Sequence, residues 1–117
     1  MYKRGEIVLI PVPFSDLSSI KRRPVLVISN MSHNSTNSDM IVVAITSNLQ
    51  QNGIFIETKD LLSGELPKKS LIRYDKIYTL EQRIVIKQLG IVSESVINNV
   101  IDNLNMLITE EESDKQD

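Results

Sequence analysis

The sequence predicts a mainly β (α+β) protein: a small, strongly twisted antiparallel sheet or barrel closed by a C-terminal helix. Three observations lead there. Five to seven short runs rich in Val, Ile and Leu occupy the first ninety residues. The stretches between them are too short for crossover helices, which disfavours parallel pairing. The clearest helical periodicity comes last, over residues 96–108. With 117 residues the chain has room for one domain and not for two.

Residues 6–12 (EIVLIPV) start after Gly5 and read as a buried strand, ended by Pro11 and Pro13 because proline cannot donate to a ladder. Residues 14–22 (FSDLSSIKR) are polar and predict a loop. A second strand runs from Pro24 to Ser29, with Pro24 acceptable only as its first residue. Asn and Ser crowd residues 30–39, which predicts an irregular connection. Residues 40–46 (MIVVAIT) are almost wholly apolar and belong inside the sheet. Ile54–Glu57 follows the turn residues Asn52 and Gly53 as a short strand. Residues 60–66 contain Gly64 and stop at Pro67, predicting one helical turn or an irregular corner. Ser70–Ile77 alternates imperfectly and reads as a strand, and residues 84–89 as a last short one ahead of Gly90.

Val96, Ile97, Val100, Ile101, Leu104, Leu107 and Ile108 then recur on one helical face. Ser93 or Ser95 can cap this helix, and Glu94 suits the positive end of its dipole. The expected domain is 1–108. Residues 109–117 (TEEESDKQD) hold nothing apolar, so they should fray into solvent and be dispensable for folding.

Composition narrows the chemistry. Hydrophobic residues at 41% and charged residues at 24% suit a globular chain rather than a disordered one. Cysteine is absent, which excludes disulfides, thiolate zinc sites and cysteine nucleophiles, and the single histidine, His33, has no nitrogen partner for a metal. No apolar run approaches the roughly 20 residues of a membrane helix. The opening MYKRGEIVLIP lacks the core of a signal peptide, so a cytoplasmic location is expected.

The formal net charge is −2, but residues 109–117 carry −4, which leaves +2 on residues 1–108. Lys21, Arg22 and Arg23 form a basic cluster near the front, and a solvated loop would explain it on charge alone. Phosphate-loop, dinucleotide, nucleophile-elbow and zinc-protease motifs are all missing, and the carboxylates are scattered. No cofactor or metal is expected. An enzyme built from these residues must use arginine, hydroxyls and backbone groups.

One constellation fits that description. Arg22-Arg23-Pro24 opens the second strand and Thr46-Ser47-Asn48 closes the third. If those strands are antiparallel neighbours, Arg23 and Thr46 meet at one edge. A guanidinium presents a planar fork of donors to phosphate oxygens, and a hydroxyl adds one more. Pattern alone equally allows a solvated arginine and a threonine chosen for β-propensity.

These segments also resemble a family. Arg4-Gly5-Glu6-Ile7-Val8, Arg23-Pro24-Val25-Leu26-Val27-Ile28-Ser29-Asn30 and Val43-Ala44-Ile45-Thr46-Ser47 are similar to successive signatures of MazF/PemK-type toxins. Leu66-Pro67-Lys68-Lys69-Ser70, Asp75-Lys76-Ile77 and Leu89-Gly90 resemble the family's second half. The fragments are collinear from about residue 4 to 108, and their order makes them specific. The resemblance implies a PemK-like/CcdB-like barrel and a metal-independent, sequence-selective endoribonuclease. It also implies a homodimer, held silent by an antitoxin whose acidic segment covers the RNA groove. Arg23 and Thr46 occupy the positions of the catalytic residues.

That chemistry suits the residues. The 2′-hydroxyl of RNA can attack the adjacent phosphorus and expel the 5′-oxygen, so the substrate supplies its own nucleophile. The protein has to align the attack and stabilise charge on the phosphoryl oxygens. Arg23 would bind those oxygens and protonate the departing 5′-oxygen, while Thr46 would hold a non-bridging oxygen or orient the 2′-hydroxyl. No residue identifies itself as the base that removes the 2′ proton. Phe14 is a candidate for stacking a base, and Lys21, Arg22, Ser47, Lys68, Lys69 and Ser70 for lining the RNA path. Asp75, Lys76 and Gln82 are weaker candidates. The loop SDLSSIK (15–21) holds neither Gly nor Glu, unlike many relatives, so the RNA sequence recognised is not legible. Two other readings share the fold: a non-catalytic toxin binding DNA gyrase, as CcdB-type proteins do, and a silent regulatory partner. The chain lacks the Trp-Gly-Ile ending associated with the first, and an intact Arg23 and Thr46 argue against the second.

Overall fold

Residues 1–13 and 20–110 are described by a computed structural model. The strands are β1 (Glu6–Pro13), β2 (Ile20–Val27), β3 (Asp39–Thr46), β4 (Ile54–Ile56), β5 (Leu61–Gly64), β6 (Ser70–Glu81) and β7 (Lys87–Val92). The helices are α1 (Met31–Thr36) and α2 (Glu94–Ile108). Every pairing is antiparallel, in the order β4-β6-β3-β2-β1-β7-β5, and the sheet curls into a half-barrel with α2 packed on it. The apolar strand β3 lies inside the sheet between β2 and β6, as its composition predicts.

Apolar burial on both faces explains why the strands read as continuous runs rather than alternating ones. On the α2 side, Ile7, Leu26, Val43, Ile45, Ile56 and Ile72 form one core with Ile97 and Val100 of the helix. On the other side, Val8, Ile10, Val25, Val27, Met40 and Val42 form a second. Each such side chain contributes about 1.5–3 kcal/mol when withdrawn from water. Ser93 caps α2 by accepting the Val96 N–H. The stripe on α2 is buried at Ile97 and Val100 only, because its last turn runs past the sheet and leaves Leu107 and Ile108 exposed.

Several boundaries differ from the sequence expectation. Strand β2 begins at Ile20, inside the expected loop, and contains Pro24. There β2 has β1 on one side, while β3 joins on the other only from Val25, so the missing N–H of Pro24 breaks no β2–β3 rung. Residues 31–36 are helical because the Asn30 side chain accepts the His33 N–H and caps α1. The expected corner at 60–66 is one 3-10 turn, Thr58–Asp60, followed by β5. Gly64 has φ +87°, and a Cβ there would fall onto the Leu89 carbonyl, so this position requires glycine. Strand β6 runs on to Glu81, and a 3-10 turn at Gln82–Ile84 shifts the last strand to 87–92.

Candidate functional site

Two grooves meet at the end of the sheet where β2 and β3 part. The first, about 430 Å3, opens on the α2 side. Its cations are Lys21, Arg22 and Arg23 of β2, Lys68 of the β5–β6 connection and Lys87 of β7. Among the described residues no carboxylate lines it. Five basic side chains converging on one groove create a positive potential that suits a polyanion better than a neutral ligand. The second groove, about 360 Å3, lies on the opposite face and is apolar, with Ile10, Val12, Val25, Tyr78, Leu80 and Ile84 among its walls. Arg23 lines both, so it stands on the rim between them.

Register relates Arg23 to Thr46. The last β2–β3 pair at this end is Val25↔Ala44. Arg23 lies two residues outward from Val25, and Thr46 two residues outward from Ala44. With a period of two, both belong to the face of that pair. Arg23 is exposed, and its side chain makes no hydrogen bond or ion pair among the described residues, so its fork is available. Thr46 Oγ1 accepts the Asn48 N–H at 3.1 Å. That contact holds the hydroxyl oxygen and leaves its proton free to donate outward.

The other sequence candidates divide. Lys21, Arg22, Ser47, Lys68 and Ser70 line the basic groove. Ser70 is only 4% exposed, and its hydroxyl donates to the Lys68 carbonyl at 3.0 Å, which shapes the turn carrying Lys68. Lys69 turns away, with Nζ 6.0 Å from the centre of the Phe55 ring. Phe14 lies outside the described residues. Gln82 is structural: its amide donates to the carbonyls of Asn34, Asn37 and Asp39, tying the second 3-10 turn to α1.

Sequence reasoning missed two contributors. Lys87 enters the groove because β1 lies between β7 and β2, which sets Leu9 opposite both Lys87 and Pro24. Nothing in the local sequence signals that row. Arg73 stands opposite Ala44, diagonal to Thr46 on the same face. Between Val43↔Ile77 and Ala44↔Arg73 the ladder skips residues 74–76, a bulge that also explains the imperfect alternation of this strand. The Arg73 guanidinium grips Asp75 through Nε and Nη2, both at 3.1 Å, and also bonds Gln51 of the β3–β4 loop. The Arg73 hydrogen bond holds the Asp75 carboxyl below its usual value of 3.8. The alternation of Arg73 with Asp75 was the available signal.

A curled antiparallel half-barrel with a basic groove at one end of its sheet defines the structural class. The chain belongs to the PemK-like, MazF-like toxin family of type II toxin–antitoxin systems, matched over residues 3–108. Among solved structures, a MazE–MazF complex from Deinococcus radiodurans is similar with a TM-score of 0.73 and 21% identity, over 92% of this chain and 95% of that one. An endoribonuclease in complex with its cognate antitoxin, from a mycobacterial species, gives 0.70 and 19%, over 91% and 93%. The Mycobacterium tuberculosis toxin MazF-mt6 gives 0.63 and 15%, over 85% and 93%. At these identities the likeness is one of fold. No curated protein sequence matches the chain. Among the described residues no helix is long and apolar enough to cross a membrane.

Proposed function

We propose that the chain is the toxin of its pair and a sequence-selective endoribonuclease acting in the cytoplasm on single-stranded RNA. The observation that carries this reading is the groove lined by Arg22, Arg23, Lys68 and Lys87 together with Lys21, ending at Arg23, which shares a sheet face with the unspent hydroxyl proton of Thr46. Phosphates of the strand bind Lys21, Arg22, Lys68 and Lys87. At the cleaved position the 2′-hydroxyl loses its proton to water as its oxygen attacks phosphorus, and the bond from phosphorus to the 5′-oxygen breaks. The 5′-oxygen takes a proton from Arg23, which regains one from water, and a 2′,3′-cyclic phosphate and a 5′-hydroxyl result. Arg23 binds the phosphoryl oxygens as charge gathers on them and gives a proton to the 5′-oxygen. Thr46 donates to a non-bridging oxygen. The reaction draws its nucleophile from the substrate and asks for no cofactor.

The antitoxin silences the protein by laying an acidic segment along the same cations, where it competes directly with phosphate. Homodimerisation belongs to this reading, and the apolar groove on the opposite face is a surface that such assembly removes from water. The experiment is incubation of purified protein with mixed single-stranded RNA in EDTA. Fragments with 5′-hydroxyl and 2′,3′-cyclic phosphate ends are expected. Intact RNA together with inhibited DNA gyrase would instead favour the non-catalytic toxin.

A further inference from the structure

Phe55 is a large aromatic residue left 48% exposed on a short edge strand, and register ties it to the candidate site. In β4 and β6, Ile54, Ile56 and Ile72 turn into the core beneath α2, so Phe55 and its partner Leu71 take the other face. Leu71 is in turn opposite Thr46. Phe55, Leu71 and Thr46 therefore form one cross-strand row on the face that also carries Arg23. At two strand spacings, Phe55 lies about 10 Å from Thr46. Leu71 between them is 7% exposed and gives the row a closed floor. Beside the ring stands Lys69, whose ammonium at 6.0 Å is at the outer limit of cation–π attraction and can move to a phosphate at little cost.

From this row we propose that Phe55 is a stacking platform for the nucleobase flanking the phosphate held at Thr46, with Lys69 neutralising the backbone of that same nucleotide. An exposed aromatic face next to a mobile cation is the combination by which single strands are gripped, because every base has a π-face and every nucleotide a charge. Charge also selects the occupant. The nearest long cation, Lys69, complements a phosphodiester, and an apolar peptide would have no use for it. The platform extends the site beyond the groove to the other face of the sheet, past Arg23 on the rim. It rests on the ribonuclease reading for its substrate class, and its test is built to fail separately.

The probe is a 2′-O-methyl oligonucleotide of randomised sequence carrying 2-aminopurine, which 2′-oxygen attack cannot cut. Parent protein quenches the 2-aminopurine on binding. Phe55→Tyr, which keeps the ring, retains the quenching. Phe55→Leu, which keeps an apolar side chain without a π-face, loses it and binds on the order of tenfold more weakly. Lys69→Gln weakens binding and lowers its salt dependence while leaving the quenching of bound strand. Equal quenching and affinity in parent and Phe55→Leu would overturn the platform, even if the parent cuts RNA. Unchanged RNA binding in Phe55→Leu with altered sedimentation or lost antitoxin binding would overturn it too, assigning Phe55 to a protein interface. Quenching that depends on Phe55 in a protein that leaves RNA intact would support the platform and refute the nuclease.

Discussion

If the cations of the groove hold a polyanion, removing one must reduce the salt dependence of binding by a definite increment. A single strand releases about 0.7 counterion for each phosphate neutralised. Arg22, Arg23, Lys68 and Lys87 together then give a slope of log affinity against log salt of about −2.8, and three cations about −2.1. Between about 50 and 200 mM salt the parent loses affinity about 50-fold, and Lys68→Ala or Lys87→Ala about 20-fold. Both lysines are exposed, so stability should change by less than about 0.5 kcal/mol. The control is Lys59→Ala: Lys59 lies outside the groove, 3.5 Å from Glu57, with its side chain 78% exposed. Fluorescence anisotropy of an uncuttable 2′-O-methyl strand over a salt series measures each slope. A parent slope no steeper than about −1, or the same loss in Lys59→Ala as in Lys68→Ala, would refute the assignment of this groove as the anion path.

Four further outcomes are expected from the structure. Thr46→Ala should slow single-turnover RNA cleavage by about 100-fold or more, the usual loss for one oxyanion donor, while Thr46→Ser retains most of the rate. Arg23→Lys, which keeps charge but loses the planar fork, should also be badly impaired. A folded Arg23→Ala or Thr46→Ala variant cutting at the parent rate would remove that residue from the mechanism. Asn34 is 1% exposed, donates to the carbonyls of Tyr2 and Ser29 and accepts from the Ser29 hydroxyl, so Asn34→Ala should cost about 2–3 kcal/mol by urea denaturation. Asp75 is held below 3.8 chiefly by its hydrogen bond with Arg73. Its pairing is therefore complete above that value and is lost as pH falls through the lowered one. Carboxyl NMR titration should show a midpoint below 3.8 that rises in Arg73→Gln.

Much of the fold was legible because its determinants are local. The β-branched runs, the stripe on α2 with its Ser93 cap, and the short connections that forbid crossovers each act within a few residues. The position of β3 inside the sheet was equally readable, since a strand buried on both faces must be apolar throughout. Locality also explains the failures. Pro24 stops a strand only where the ladder needs its N–H, and whether it does depends on where β3 joins β2. Residues 31–36 look irregular by composition, yet one Asn30 side chain at the right position starts a helix.

For the site, the residue types pointed to anion chemistry, and the collinear fragments from residue 4 to 108 pointed to the family. Neither could say which side chains share a face. Lys68 and Lys69 are neighbours in the chain, but one lines the basic groove and the other stands over Phe55 on the opposite face. Lys87 is far from Arg22 in sequence and lines the same groove because β1 lies between β7 and β2. Arg73 comes beside Thr46 because a bulge drops three residues from the ladder. Local pattern was enough for most of the strands, for α2, for the chemical vocabulary and for the family, but not for α1 or β5. Only the tertiary structure decided which charges act together, because strand register is set by long-range pairing, and a slip of one residue would turn every side chain of a strand to the other face.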